Sequence, residues 1–261
     1  MNAAFGEGGI VCISLETATE RRKDIEAMFG RLGIQAQFFI AKKHPKGGCY
    51  GCFDSHIQVI QKAYDAGIKR LLVFEDDALP TPGYTPENVA TAIGFMDTNQ
   101  DWDLFYLGYV PVSLSVQGIP YLLAPFVAPG IVRYKPITTH ALCYSRRGME
   151  KILHSGYEDV IGKMQIDEWL VRFTNLNTYC CVPVLFEQQS IATSNNPNRN
   201  TTEAVVRFIA SYIEKYYLPY KLSIVKQVIP PVIFWIILAT TAIVLLLFYT
   251  SRRRPVATKT I

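Results

Sequence analysis

Residues 9–15 (GIVCISL) form a short apolar run with β-branched residues, which predicts a buried strand. After it, Thr17 and Thr19 stand where helix caps belong, and Ile25, Met28, Phe29 and Leu32 recur at helical spacing until Gly33 stops the pattern. The same sequence of events then repeats. Residues 35–41 (QAQFFIA) read as a second strand, and residues 43–51 (KHPKGGCYG) as a glycine-rich loop. Ile57, Ile60 and Tyr64 mark an amphipathic helix ending at Gly67, and residues 70–75 (RLLVFE) are a third strand. Alternating strands and helices predict an α/β layer fold around a largely parallel central sheet.

The second half is less regular. Residues 101–108 (DWDLFYLG) and 140–145 (HALCYS) read as strands, and Pro111, Pro120, Pro125, Pro129 and Pro136 assign the segment between them to loop or edge structure. Helices are expected over 146–155 and 164–173, and a strand over 179–186 (YCCVPVLF). With no internal repeat, residues 1–218 read as one domain, followed by a juxtamembrane linker at 219–227. Residues 228–250 (VIPPVIFWIILATTAIVLLLFYT) carry no charge, which predicts one transmembrane helix. Tyr212, Tyr216, Tyr217 and Tyr220 precede it, and a basic tail at 251–261 follows. No signal-peptide pattern opens the chain, so the expectation is a C-terminal membrane anchor with the domain in the cytosol. The sequon Asn200-Thr201-Thr202 matters only for a lumenal domain.

Composition narrows the function. Of 261 residues, 26 are Lys or Arg and 22 are Asp or Glu, a net charge of +4. Arg252, Arg253, Arg254 and Lys259 account for the excess, so the domain lacks the basic face that nucleic-acid binding needs. The six cysteines include a C-x-x-C at Cys49 and Cys52, an adjacent pair at Cys180 and Cys181, and Cys12 and Cys143 inside apolar runs. That pattern favours free thiols over a structural metal site.

Three consecutive carboxylates, Glu75, Asp76 and Asp77, follow the third strand. In an open α/β sheet, ligands bind beyond the carboxyl ends of the strands. Carboxylates placed there read either as a solvated turn before Pro80 or as hard oxygen ligands for Mg²⁺ or Mn²⁺.

The blocks ISLETATERRKDIEAMFGRLGI, GCFDSHIQVIQKAYDAGIKRLLVFEDDA, WDLFYLG, HALCYSRRGMEKIL and QIDEWL occur in that order. Together, over roughly residues 9–190, they resemble glycosyltransferase family 25, the group of lipooligosaccharide and collagen hydroxylysine galactosyltransferases. The resemblance implies a GT-A-type α/β domain, a UDP-sugar donor, inversion at the anomeric carbon, and a glycan, protein or lipid-linked acceptor. It places Ser14, Leu15, Arg21 and Arg22 at the nucleotide sugar, with His56 and Asp76 beside them. Glu75 and Asp77 match the family's metal motif, with Mn²⁺ (or Mg²⁺) bridging the donor diphosphate. Asp167 and Glu168 match its acidic pair. Helical neighbours point about 100° apart, so one of them serves as catalytic base, Asp167 first and Glu168 in reserve. His140 would line the acceptor side or sit in the core. Where the family usually has Asn and further arginines, this chain has Ser14 and LETATE. Other readings are a catalytically inactive, membrane-anchored protein of the same fold that binds nucleotide sugars or glycans, a metal-independent transferase, and a Mg²⁺-dependent phosphotransferase or phosphatase.

Overall fold

The structure is a computed structural model and describes residues 1–110, 121, 124–172, 175–189, 218–228, 236 and 238–245. The elements run α1 (Asn2–Phe5), β1 (Ile10–Leu15), α2 (Thr19–Leu32), β2 (Gln37–Ala41), α3 (Gly48–Asp65), β3 (Arg70–Glu75), β4 (Ala78–Pro80) and α4 (Pro86–Thr98). They continue with β5 (Leu104–Val110), β6 (Phe126–Ala128), β7 (Ile131–Arg133), β8 (Ile137–Ser145), α5 (Arg146–Leu153), α6 (Ile166–Arg172), β9 (Thr178–Cys181), β10 (Phe186–Gln188) and α7 (Leu218–Val228).

Side-chain alternation along β3 explains the layers. Leu71 and Val73 face one core with Phe53, Ile57 and Ile60 of α3, Met149 of α5 and Trp169 of α6. Leu72 and Phe74 face the other, with Ile25, Met28 and Phe29 of α2 and Met96 of α4. Helices therefore cover both faces of one sheet.

The sheet has the order β2-β1-β3-β8-β5-β9-β7-β6, with β10 paired to β4 and β5. It is mixed, which corrects the expectation of a largely parallel sheet. β1 runs parallel to β2 and β3, and β5 to β9 and β10. β8 is antiparallel to both β3 and β5, and β7 to both β6 and β9. The cause is the connection. A parallel return needs a crossover, usually a helix. Among the described residues the path from β5 to β8 holds the β6–β7 pair instead, so β8 enters the sheet from the end where β3 and β5 finish. That reversal brings the start of β8 beside the end of β3.

One buried carboxylate ties the second half together. Asp103, fully buried, accepts from Arg147 Nε at 2.7 Å, Lys151 Nζ at 2.8 Å and the Asn177 backbone N–H at 2.7 Å, joining β5, α5 and the approach to β9. The apolar run at 179–186 divides into β9 and β10 around Pro183, which has no N–H for a ladder.

The C-terminal segment differs from its expectation. Among the described residues, no helix is long and apolar enough to cross a membrane. Residues 219–227, read as a linker, lie within α7, which ends at Val228 and is tied to the domain. Ser223 Oγ accepts the Val184 N–H at 3.3 Å, Lys226 Nζ donates to Ala124 O at 2.7 Å, and Gln227 donates to Val182 O at 2.7 Å. Of the predicted span, residues 229–235, 237 and 246–250 lie outside the described residues. The lack of a long apolar helix among the described residues stands against the single-pass helix, the membrane contact through it and the cytosolic tail-anchored placement built on it. The sequon at 200–202, most of the proline-rich 110–120 stretch and the basic tail at 251–261 lie outside the described residues.

Candidate active site

The carboxyl ends of β1, β3 and β5 and the amino end of β8 meet at one edge of the sheet, where an open α/β sheet binds ligands. Glu75 ends β3, pairs in register with Ile13, and continues the face of Leu71 and Val73 towards α3 and α6. Its Oε1 accepts from Thr139 Oγ1 at 2.6 Å and lies 3.5 Å from His56 Nε2. Burial works against the Glu75 charge, but the His56 imidazole and the Thr139 hydroxyl outweigh it and hold its pKa below 4.5.

Asp76 and Asp77 face elsewhere, in the turn between β3 and β4. Arg21, from the first turn of α2, reaches Asp76 Oδ1 at 3.2 Å and Asp77 Oδ2 at 3.9 Å. Gln188 of β10 donates to Asp77 Oδ2 at 3.1 Å, and the Asp77 carbonyl accepts the Gln189 N–H at 2.7 Å. Asp76 Oδ2 and Asp77 Oδ1 are buried without a hydrogen-bond partner among the described residues. Burial, and next the Glu75 charge, push the Asp77 pKa up to about 7 against the Gln188 hydrogen bond. Burial also raises that of Asp76, against Ser14 and Arg21, which lower it.

Buried carboxylate oxygens with no donor facing them suit a hard divalent cation, and the donor set of Asp76 and Asp77 fits Mn²⁺ or Mg²⁺. Glu75 was expected to share that ion with Asp77. Its carboxylate oxygen lies with Cys52 Sγ and a His56 ring nitrogen, all three within 4.8 Å of one another.

Of the two neighbouring arginines, only Arg21 meets the acids. Arg22 folds back on the β1–α2 turn, donating to Ser14 Oγ at 3.1 Å, Leu15 O at 2.9 Å and Glu16 O at 3.3 Å. It therefore holds the strand end in which Ser14 and Leu15 sit, and Ser14 is buried there.

Asp167 and Glu168 open α6 and diverge as helical neighbours must. Asp167 turns inward, accepting the Thr138 N–H at 3.1 Å and the Glu168 N–H at 2.8 Å. Burial raises its pKa above the ordinary 3.8 against those two bonds, and the Glu75 charge adds to the rise. Glu168 turns outward and pairs with Arg172 at 2.6 Å. Thr138, whose N–H reaches Asp167, holds φ at 73°, a left-handed conformation that costs a β-branched residue strain and gathers at functional sites.

His140 is buried in the core: its Nε2–H donates to Phe186 O at 3.2 Å. Gly108 makes room for the ring, since a Cβ there would stand 2.5 Å from Nε2. A separate cavity of about 720 Å³, lined by Met1, Phe5, Gly67, Arg70 and Asp97 among others, lies at the opposite end of β3. There Arg70 and Asp97 neutralise one another.

Sequence reasoning did not single out Cys52, Thr138, Thr139 or Gln188 as site residues. A signal existed for Cys52, which stands one helical turn before His56 once the helix is extended back to Gly48. No local pattern announces Gln188, which reaches Asp77 across 111 residues of chain.

No protein-family model matches the chain. In sequence it is similar to the lacto-N-neotetraose biosynthesis glycosyltransferase LgtB of Neisseria gonorrhoeae, 38% identical over 87 residues, covering 26% of this chain and 31% of that protein. LgtB of Neisseria meningitidis serogroup B matches at 38% over 87 residues and 32% of its length, so the chain spans about a third of the curated relatives it matches. Among solved structures, a glycosyltransferase involved in glycosylation of the major capsid of PBCV-1 overlays with a TM-score of 0.42 at 14% identity, covering 69% of this chain and 92% of that one. A mutant Drosophila β1,4-galactosyltransferase 7 in complex with manganese, UDP-Gal and xylobiose overlays at 0.41 and 9% identity, covering 76% and 78%. Overlays at that level fix neither fold nor chemistry. The partial sequence match is a likeness to glycosyltransferases.

Proposed function

We propose that the chain is an inverting glycosyltransferase that moves a hexose, galactose first among the candidates, from a UDP-sugar to a hydroxyl of a glycan, protein or lipid-linked acceptor. The observation that carries the reading is the grouping at one sheet edge of an acidic turn with two orphaned carboxylate oxygens and a separate inward-facing carboxylate, Asp167. The likeness to LgtB, a glycosyltransferase by name, supports it over part of the chain.

Ser14 and Leu15 at the end of β1 hold the nucleoside, with Arg22 fixing that strand end from behind. Asp76 and Asp77 hold Mn²⁺ or Mg²⁺, which when bound neutralises the diphosphate and the leaving nucleotide. Arg21 balances the two carboxylates when they carry no cation. Asp167 accepts the proton of the acceptor hydroxyl. The acceptor oxygen then forms its bond to the anomeric carbon from the face opposite the leaving group, the bond from that carbon to the phosphate oxygen breaks, and the electron pair departs with UDP. Two backbone N–H bonds orient the Asp167 carboxylate and leave it lone pairs for this proton. Glu168, paired with Arg172, stays outside the chemistry.

Comparing turnover of UDP-galactose by the full chain, its Asp167→Asn variant and its Glu168→Gln variant tests the assignment. Loss of a positioned base costs about 10²–10⁴-fold in kcat. That loss is expected in Asp167→Asn with little change in KM for the donor, and Glu168→Gln should stay within about threefold of the parent. Equal losses in both variants, or a loss confined to Glu168→Gln, would reject Asp167 as the base.

A further inference from the structure

On the α3 side of the sheet, away from the Asp76–Asp77 turn, three different ligand types converge. Cys52 and His56 stand four residues apart on one face of α3, and Glu75 meets them from the end of β3. His56 is completely buried, and its Nε2 has no hydrogen-bond partner among the described residues. That atom is aimed at Glu75 Oε1, 3.5 Å away, too far for a well-formed hydrogen bond between the two. An imidazole nitrogen held without a partner in a buried site is unfavourable unless something else engages it.

We propose that Cys52, His56 and Glu75 form a binding site for one borderline divalent cation, zinc by preference, with three protein ligands and one coordination position open to solvent. Tetrahedral zinc with bonds of about 2.0–2.3 Å sets its ligands about 3.3–3.7 Å apart. The His56–Glu75 separation of 3.5 Å already matches such an edge. The cysteine sulfur lies within 4.8 Å of both partners and closes the remainder by rotation of one exposed side chain. Thiolate, imidazole and carboxylate together favour zinc over the hard Mg²⁺ or Mn²⁺ that Asp76 and Asp77 suit.

The outer contacts have the form that metal sites use. Tyr144 Oη meets His56 Nδ1 at 3.3 Å, orienting the ring so that Nε2 faces the cluster, and Thr139 braces the Glu75 carboxylate at 2.6 Å. Cys49, the other cysteine of the C-x-x-C, donates to Met164 O at 3.4 Å and is not part of the group.

The proposal is independent of the transferase reading, and its test does not use turnover. The full chain, stripped with EDTA, is titrated with Co²⁺, whose thiolate-to-metal charge-transfer band reports a bound sulfur. One equivalent per chain should develop the band, zinc should remove it by competition, and Cys52→Ser should abolish it while circular dichroism shows the fold retained. Cys49→Ser should keep the band, and so should Asp77→Ala, even where that variant loses donor binding. Absence of a band in the folded parent chain, or its survival in Cys52→Ser, overturns the proposal.

Discussion

Asp77 is held in a site that opposes its charge. Its pKa of about 7 against an ordinary 3.8 means that the folded chain keeps a proton which the unfolded chain releases. The contribution to stability is therefore full below about pH 4, declines as pH rises towards 7, and is level above that. Asp77→Asn removes the dependence. In urea titrations the variant should gain stability over the parent steadily between pH 4 and 7 and hold that advantage at pH 8; a parent-to-variant difference that does not change with pH would contradict the assignment. Binding of a cation runs the other way, since it needs the carboxylate and should tighten up to about pH 7. The three acids were legible in the sequence as neighbours at a strand end. Their division of labour was not, because side-chain alternation at the end of β3 sends Glu75 to the α3 face while the turn carries Asp76 and Asp77 towards α2 and β10. For Asp167 and Glu168, helix geometry allowed the separation to be anticipated, and the partners of each carboxylate show which way each points.

At the scale of elements, β1, α2 and β3 follow their hydrophobic periods closely, since each buries a clear stripe or run, whereas β2 buries only Ala41. α4 was missed because its buried stripe is only Ala92 and Met96, although Thr85 caps it by accepting the Asn88 N–H at 3.3 Å. The direction of β8 was illegible as well: HALCYS marks a strand, but direction depends on the connection before it. Residues 219–227, expected as a linker, lie within α7 and contribute a buried lysine, with Lys226 Nζ on a backbone carbonyl and 5.2 and 5.0 Å from the Tyr121 and Phe126 ring centres. Lys226→Ala removes that anchor. It should lower stability by about 1–3 kcal/mol in urea unfolding of the full chain, a carbonyl being left without its donor. A change below about 0.5 kcal/mol would mean that α7 contributes little to the domain.

Across the whole molecule, the mixed sheet gathers residues from position 14 to position 188 at one edge. The carboxyl end of β1, the acidic turn after β3, the strained start of β8 and the inward carboxylate of α6 meet only because β8 runs backwards between β3 and β5. Family-like blocks in the sequence pointed to most of these places, while the contacts among them depend on long-range pairing that no local pattern encodes. In the proposed function, the Asp76–Asp77 turn binds a nucleotide sugar together with a divalent cation. Calorimetric titration of the full chain with UDP-galactose, UDP-glucose and UDP-N-acetylglucosamine, in Mn²⁺ and in EDTA, beside Asp77→Ala, tests it most directly. Selective binding of one donor in Mn²⁺, lost in EDTA and weakened at least about tenfold in Asp77→Ala, is expected; binding of no donor under either condition, or donor binding unchanged in Asp77→Ala, would rule this site out.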